Sequence, residues 1–423
     1  MIGVSRSGGC GPRVASARAR GAATAAAADD RSSHGSWTDL DLRSLDSDLE
    51  RPAWLVLAAI PGVGPVSFAR CIARFGSARA ALAAGLGLAG HVPRADEETA
   101  AALRRVQREG VAAIAHQLAE AARRVGGVVL TAFDPRYPPS LARLDPRPPV
   151  LYVVGAPDAL LTTCVAVVGT RHPTGYGRAS AVEIADELAR AGVTVVSGLA
   201  LGVDGAAHEA ALAAGGRTVA VLPSPIDRVY PPSHRALAAR LVAEGGALIS
   251  ESPPGRITGK PDFARRNRII SGLAEAVVVV EAPDRSGALL TAVAALDQGR
   301  EVYAVPGPID SVASRGCNRL IADHQAEIVT SPVGLLQRIG LIRGVLPVAV
   351  ANLSDAEGLV LGALLKRSGS IEELMTRTNL PTGPLASALT LLEVRGLVTS
   401  FGGATFHPTL AARRIGLPIR APA

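Results

Sequence analysis

The chain has 423 residues, of which 48% are hydrophobic and only 3% are aromatic, and its formal net charge is +7. This length predicts two or three domains, with cores built mainly from alanine, leucine and valine. The mean hydropathy is +0.27, but the longest apolar stretches, such as residues 192–203, are too short to span a membrane. The composition therefore favours a soluble protein, and its positive charge suits a polyanionic partner.

Four cysteines, Cys10, Cys71, Cys164 and Cys317, lie far apart, and no two of them form a CxxC pair. The sequence therefore predicts neither a zinc site nor a disulfide framework. Unpaired cysteines fit a reducing compartment, so we expect a cytoplasmic protein.

The first 48 residues are rich in alanine, arginine, serine and glycine and show no apolar periodicity. We expect them to form a disordered extension. Residues 49–125 are expected to form a helical domain, in which Pro61-Gly62-Val63-Gly64 separates two helical patterns. This arrangement indicates a helix-hairpin-helix unit. Such units contact DNA phosphates in some proteins and serve only packing or protein contact in others, so both roles stay open for this domain.

Residues 126–338 alternate short β-branched segments with helical patterns, which is typical of a doubly wound, mostly parallel sheet of the α/β class. The predicted strands are residues 128–131, 150–154, 165–168, 193–197, 218–222, 247–250, 276–280 and 301–305. Ligands of such sheets bind beyond the carboxyl ends of the strands. The loops at that edge are therefore the candidate site.

One of these loops, Gly169-Thr170-Arg171, joins a buried strand to a helical pattern that follows Gly177. Free backbone amides at the start of a helix, together with the Arg171 guanidinium, favour an anion at this place. The segment lacks the Gly-Lys-Ser/Thr of a Walker loop and the GxGxxG of dinucleotide enzymes. Taken alone, the pattern supports a phosphate-binding loop and a purely structural turn about equally.

A longer segment, residues 250–268, is predicted to be a basic loop with a single aromatic ring, that of Phe263. Its cations are Lys260, Arg265, Arg266 and Arg268. Cations that meet phosphates and a ring that stacks on a base suit single-stranded nucleic acid. In the alternative interpretation, Phe263 anchors the segment in the core and the arginines form a solvated face. The phosphate-type loop at the same sheet edge favours the nucleic-acid interpretation.

Carboxylates and a histidine near this edge raise the question of catalysis. Asp204 and His208 stand four residues apart on a predicted helix, but without a second pair of ligands we expect a structural hydrogen bond rather than a metal site. Glu251 and Glu281 each end a predicted strand. Because no Gly-x-Ser-x-Gly nucleophile motif occurs, we expect no catalytic residues. The alternative is a nucleotide or phosphoribosyl-bond hydrolase that uses Glu281 as its acid.

Seven groups of short motifs follow one another along the central region. They are Val168-Gly-Thr-Arg171 with Tyr176-Gly177, Val196-Ser-Gly-Leu-Ala200 with Asp204 and Ala207-His208, Ile226-Asp-Arg-Val-Tyr-Pro231, Ser250-Glu-Ser-Pro253, Arg266-Asn-Arg-Ile-Ile-Ser-Gly272, Val280-Glu-Ala282 with Ser286-Gly287 and Thr291-Ala292, and Val305-Pro-Gly307. Their order and spacing resemble the DNA-processing protein DprA (Smf) family. The resemblance extends from about Trp54 to the C-terminus.

The resemblance implies an extended Rossmann-like core that binds single-stranded DNA without sequence preference, protects it and loads the recombinase RecA during natural transformation. It also implies a homodimer formed through this core, with no cofactor and no established catalytic activity. The predicted DNA-binding residues are Gly169, Thr170, Arg171, Ser197, Gly198, Lys260, Phe263, Arg265, Arg266, Asn267 and Arg268.

The chain departs from the family pattern at two places. Pro223-Ser-Pro225 stands where relatives usually have a glycine-containing turn, and Gln325-Ala326 stands where they tend to have Gly-Ala. Neither departure touches the predicted pocket, so both concern local geometry rather than DNA binding.

The C-terminal region is expected to contain a linker over residues 339–352, a winged-helix domain over residues 353–410 and a tail over residues 411–423. Winged-helix domains usually place a recognition helix on duplex DNA. The expected recognition helix here, Thr382 to Glu393, has no basic residue. We therefore expect this domain to contact protein.

Overall fold

The computed structural model describes residues 45–93, 95–341, 353–401, 405–408 and 412. Most of the expected N-terminal extension, most of the expected linker and nearly all of the expected tail lie outside the described residues. The first described helix begins at Ser47, inside the segment expected to be disordered. Its start is set by Asp46, whose side chain accepts hydrogen bonds from the backbone amides of Asp48 and Leu49.

Helices form the N-terminal part of the described chain. They are α1 (Ser47–Ala59), α2 (Pro65–Phe75), α3 (Ala78–Ala83), α4 (Glu97–Glu109) and α5 (Val111–Arg123). The tight turn between α1 and α2 contains Gly62 at φ +82°, a conformation that favours glycine. Trp54 of α1 is fully buried and packs edge-on against Phe68 and Phe133. The predicted helix-hairpin-helix arrangement of α1 and α2 is confirmed.

A nine-stranded sheet forms the centre of the molecule, in the order β1-β2-β6-β5-β4-β3-β7-β8-β9. Its strands are β1 (Gly127–Thr131), β2 (Val150–Gly155), β3 (Cys164–Val168), β4 (Thr194–Ser197), β5 (Thr218–Val221), β6 (Ala247–Ser250), β7 (Ala276–Val279), β8 (Glu301–Ala304) and β9 (Glu327–Ile328). The seven strands from β6 to β9 pair in parallel, whereas β1 and β2 pair antiparallel. The predicted doubly wound, mostly parallel sheet is confirmed.

Helices cover both faces of this sheet. They are α6 (Pro139–Ala142), α7 (Gly175–Arg190), α8 (Val203–Ala213), α9 (Arg235–Ala243), α10 (Lys260–Leu273), α11 (Gly287–Asp297), α12 (Arg315–Ala322) and α13 (Pro332–Arg338). Side chains that alternate along β3 go to opposite layers. Val165 and Val167 pack with α7, α8 and α13, whereas Ala166 and Val168 pack with α10, α11 and α12. Burial on both faces explains why the strand sequences are almost wholly apolar.

The N-terminal helices pack against the antiparallel edge of the sheet. Trp54 and Ile114 share one hydrophobic cluster with Val150 and Tyr152 of β2. The C-terminal part is a winged helix, with its own apolar cluster. Its elements are α14 (Asp355–Lys366), β10 (Gly369–Ser370), α15 (Ile371–Thr378), α16 (Thr382–Val394), β11 (Val398–Phe401) and β12 (Thr405–Pro408). Within the described ranges, no helix is both long and apolar enough to cross a lipid bilayer.

One local prediction is wrong. The basic segment expected to be a loop up to Arg268 is helical from Lys260, as the first residue of α10. Pro261 stands in the first turn, where its missing amide costs nothing, and the Asp262 carboxylate accepts from the Gly259 backbone amide at 2.8 Å. These helix-start signals outweigh the prolines and glycines that precede them.

Candidate nucleic-acid interface

A cleft opens at the carboxyl edge of the parallel strands, between the loops that follow β3, β4, β5 and β7 and the first half of α10. It has two adjoining hollows, the larger of about 300 Å³. Both hollows are lined by Arg171, Ala200, Phe263 and Arg266. The smaller hollow adds Gly198, Leu201, Pro223, Tyr230 and Pro231. The expectation that the Pro223-Ser-Pro225 departure does not touch the pocket is therefore wrong, because Pro223 forms part of its wall. The predicted location of the site at this sheet edge thus coincides with a real concavity.

The loop after β3 is fastened at both ends to Glu281, which follows β7. The Thr170 amide donates to the backbone oxygen of Glu281 at 2.6 Å. The Thr174 amide and hydroxyl donate to the two carboxylate oxygens of Glu281, each at 2.8 Å. Helix α7 begins one residue later, at Gly175. The anion predicted at this helix start is therefore a carboxylate of the protein itself, so an external phosphate would meet Arg171 rather than the helix terminus.

Two glycines allow this close packing. A Cβ at Gly177 would overlap the carboxylate of Glu281, and a Cβ at Gly169 would lie 2.6–2.9 Å from the side chain of Val203. The glycine spacing that resembled a phosphate loop is thus explained by packing at these two positions.

Arg171 lies at the tip of the loop, exposed to solvent. Its guanidinium carbon is 5.6 Å from the centroid of the Phe263 ring, which is within cation–π range. Neither Arg171 nor Lys260, which starts α10, has a carboxylate within 4 Å in the part of the chain that the structure describes. These two side chains are therefore available to meet phosphates.

Phe263 is half-buried and meets a second aromatic side chain, Tyr230, edge-on at 5.5 Å between ring centroids. Tyr230 is 45% exposed and lines the smaller hollow. Tyr230 is not among the DNA-binding residues predicted from the sequence, although it lies in the Ile226-to-Pro231 motif. The signal available in the sequence was an aromatic residue that closely follows an arginine and precedes two consecutive prolines in a loop at the same sheet edge.

Arg266 is 7% exposed, and its guanidinium bonds backbone groups of the protein itself. Its guanidinium donates to the backbone oxygen of Gly198 at 2.6 Å and to that of Val221. Burial lowers its pKa to about 10, an effect that the nearby Asp204 carboxylate opposes. A Cβ at Gly198 would lie 2.5 Å from Nη1 of Arg266, so a side chain there would displace the guanidinium. Arg266 thus holds the ends of β4 and β5 at the floor of the cleft.

Asp204 ties down the same loop from the other side. Its carboxylate accepts from the amides of Gly198 at 3.0 Å and Ala200 at 3.4 Å, and burial raises its pKa although Arg266 opposes the shift. His208, also fully buried, forms a 2.6 Å hydrogen bond between Nδ1 and the Thr218 hydroxyl. Both residues make the structural hydrogen bonds that were expected. Among the residues described, no cluster of side chains suited to a metal ion occurs.

The remaining predicted residues fall into two groups. Asn267 lines the larger hollow and donates to the Gly287 oxygen at 3.3 Å. Arg265, two residues after Phe263 on α10, lies 3.4 Å from the Asp262 carboxylate. Neither Arg265 nor Lys260 is among the residues that line the two hollows. Arg268 and Ser197 lie outside the cleft lining: Arg268 donates to the Pro146 oxygen at 2.9 Å and to the Glu251 carboxylate, and Ser197 donates to the Val167 oxygen at 2.6 Å.

The site therefore brings together seven of the predicted residues. They are Gly169, Thr170, Arg171, Gly198, Phe263, Arg266 and Asn267. Of these, Arg171 and Phe263 present a free cation and an aromatic ring to the cleft. The arrangement can hold a phosphate beside a stacked, flat group, because cation and ring face the same hollows.

Comparison with known proteins gives three matches to family descriptions. Residues 128–340 match "DNA recombination-mediator protein A", residues 48–112 match "DprA-like N-terminal HHH domain" and residues 346–404 match "DprA winged helix domain". Together these matches cover all three structured parts of the chain.

Individual proteins agree with these matches. Protein Smf of Escherichia coli is 40% identical over 276 residues, which are 63% of this chain and 74% of that protein. A putative DNA processing protein DprA of Mycobacterium tuberculosis is 41% identical over 294 residues, 65% of this chain and 75% of that protein. The X-ray structure of DNA processing protein A from Streptococcus pneumoniae is 29% identical, with a TM-score of 0.54, over 67% of this chain and 95% of that one.

Proposed function

This chain belongs to the DNA recombination-mediator protein A family, and from that premise we propose that it binds single-stranded DNA without sequence preference. The bound strand is protected and passed to the recombinase RecA during natural transformation. The observation that carries the proposal is the cleft in which the free guanidinium of Arg171 lies over the ring of Phe263.

The choice of a single strand is supported by the aromatic pair. Tyr230 and Phe263 meet at 5.5 Å within the concavity, where a base can reach them only after it has left the base stack of a duplex. Stacking on such rings contributes about 1–3 kcal/mol per base and tolerates every base. Because the free groups are a cation and rings rather than a set of hydrogen-bonding side chains aimed at base edges, binding is insensitive to sequence.

We propose that this binding involves no catalysis. The acidic groups nearest the cleft are committed to internal hydrogen bonds, Glu281 to Thr174 and Asp204 to the amides of Gly198 and Ala200. His208 bonds Thr218 within the core. The alternative, a nucleotide or phosphoribosyl-bond hydrolase that uses Glu281, finds no support here, because Glu281 is 2% exposed and does not line the cleft.

We further propose a cytoplasmic homodimer formed through the Rossmann-like core. Exposed apolar side chains on α11, those of Val293 and Leu296, support such a surface on the core. Contact with RecA is part of the same proposal and follows from family membership.

The winged helix is proposed to bind protein rather than duplex DNA. Helix α16 exposes Leu391 and Val394, the latter by 81%, and carries no basic residue between Thr382 and Val394. Duplex binding through such a helix would lack the cations that neutralise phosphates.

The proposed domain bounds remain residues 49–125, 126–338 and 353–410.

Fluorescence anisotropy with labelled oligonucleotides tests the proposed function. We expect tighter binding to a single strand than to a duplex of the same sequence, similar affinity for oligonucleotides of different base composition, and weakening as salt rises. Equal affinity for single strand and duplex would contradict the proposal.

A further inference from the structure

Glu281 has a buried carboxylate, and the groups that donate hydrogen bonds to it are uncharged. It is 2% exposed, and no arginine, lysine or histidine nitrogen lies within 4 Å of its carboxylate among the described residues. A buried carboxylate is costly unless hydrogen bonds compensate its lost hydration. Among the described residues, the hydrogen bonds that compensate the Glu281 carboxylate come from the short loop between β3 and α7.

The contacts fall on the two ends of that loop. At one end, the Thr170 amide donates to the Glu281 backbone oxygen at 2.6 Å. At the other end, the amide and the hydroxyl of Thr174 donate to the two side-chain oxygens at 2.8 Å. The Thr174 hydroxyl oxygen also accepts from the Gly177 amide at 3.1 Å, which caps helix α7.

The residues between these two fixed points are Arg171, His172 and Pro173. Arg171 and His172 are exposed, and the His172 amide donates to the Thr170 hydroxyl at 3.2 Å. The Thr170 backbone oxygen in turn accepts from the Val203 amide at 3.2 Å. The direction of the Arg171 side chain is therefore set mainly by where its loop is pinned. Displacement of the Thr174 end would swing Arg171 away from the Phe263 ring.

We propose that Glu281 is a positioning residue for DNA binding: by pinning Thr170 and Thr174 it holds the Arg171 guanidinium in the cleft, against a DNA phosphate. The inference rests on the proposed function, in which Arg171 meets the strand. It gives a role to a buried acidic side chain that neither lines the cleft nor meets DNA.

The test compares Glu281→Met, which has similar length but no oxygen acceptor, in the native background and together with Arg171→Ala. We expect Glu281→Met to weaken single-strand binding about tenfold, the scale of coupling within one hydrogen-bond network. The slope of log affinity against log salt should fall by about 0.7, the value of one lost phosphate contact on a single strand. In the Arg171→Ala background Glu281→Met should have no further effect on either quantity.

Two further variants separate positioning from simple damage to the fold. Glu281→Gln retains an acceptor oxygen and should keep most of the affinity. Thr174→Val removes the hydroxyl from the exposed partner and should reproduce part of the loss. Asp186→Asn, which alters a partly exposed carboxylate paired with Arg190 on α7, is the matched control and should leave binding unchanged.

Hydrogen exchange without DNA gives a readout that does not depend on the proposed function. The amides of Thr174 and Gly177 should exchange faster in Glu281→Met, because they depend on the carboxylate or on the Thr174 hydroxyl that it holds. The Thr170 amide, which bonds the Glu281 backbone oxygen, and the amides of β3 should keep their protection. Unchanged exchange in this loop, or an equal loss of affinity with and without Arg171, overturns the inference. If the native protein binds no single strand but the loop amides respond as expected, the pinning stands and the proposed function fails.

Discussion

The guanidinium carbon of Arg171 lies 5.6 Å from the centroid of the Phe263 ring, although the two residues are far apart in sequence. The edge of the Tyr230 ring meets Phe263 at 5.5 Å. Cation and aromatic groups thus converge on one cleft from three different segments of the chain. Most of the other charged groups around them are already paired within the protein. The side chains that remain able to meet a ligand are therefore the ones that converge on this cleft.

Removal of the Arg171 charge should weaken single-strand binding and its dependence on salt. For Arg171→Ala we expect about a tenfold loss of affinity and a fall of about 0.7 in the salt slope, because one phosphate contact is lost. Anisotropy titrations between low and moderate salt measure both. Arg178→Ala is the control, since Arg178 is exposed on α7 and pairs with Glu209; an equal effect in both variants would argue against a specific role of Arg171.

Phe263→Leu should reduce affinity without changing the salt slope. Loss of base stacking costs about 1–3 kcal/mol of binding free energy, whereas no phosphate contact is removed. Tyr230→Leu should cause a loss of the same kind, because Tyr230 lines the same hollow. Leu359→Ala changes an exposed apolar side chain of the winged helix and serves as control; wild-type affinity in Phe263→Leu would remove the stacking assignment.

Arg268→Ala should act on stability rather than on the DNA contact. The Arg268 guanidinium bonds Glu251 and the Pro146 oxygen away from the cleft lining. Breaking a largely buried ion pair costs about 3 kcal/mol, so the midpoint of urea unfolding should fall. The salt slope of DNA binding should match that of the native protein. A lower slope with unchanged stability would instead support the prediction that Arg268 itself meets DNA.

The buried His208 should make the protein less stable in acid. Burial lowers its pKa to about 3 from an ordinary value of 6.5, with His234 and Arg266 nearby adding to the shift. The unfolded chain therefore binds more protons between these values, and the free energy of unfolding falls as the pH drops below 6.5. At pH 5 the loss from this group is about 2 kcal/mol.

Urea unfolding at pH 7.5 and pH 5, followed by circular dichroism, measures this loss. His208→Asn should show a smaller difference between the two pH values, because an amide can donate to Thr218 but does not titrate. His116→Asn, at an exposed position on α5, should behave as the native protein. The role assigned to His208 would not survive if its replacement left the pH dependence unaltered.

The sequence by itself determined the architecture and the place of the site. The apolar strands and the helical periods between them predicted the parallel sheet, because burial on both faces requires that pattern. The place of the site at the carboxyl edge of the sheet followed from the parallel topology. The order of the motifs identified the family. These inferences hold because they rest on periodicity and spacing, which are local properties of the chain.

Only the tertiary structure decided which charged side chains are free. Arg171, Arg266 and Arg268 look alike in sequence, yet Arg266 holds the floor of the cleft and Arg268 bonds Glu251, while Arg171 remains unpaired among the described residues. The anion at the start of α7 proved to be Glu281, from the loop that follows β7. Such pairings join residues from distant segments, and the free energy of an ion depends on what surrounds it in three dimensions. No local pattern in the sequence records that environment.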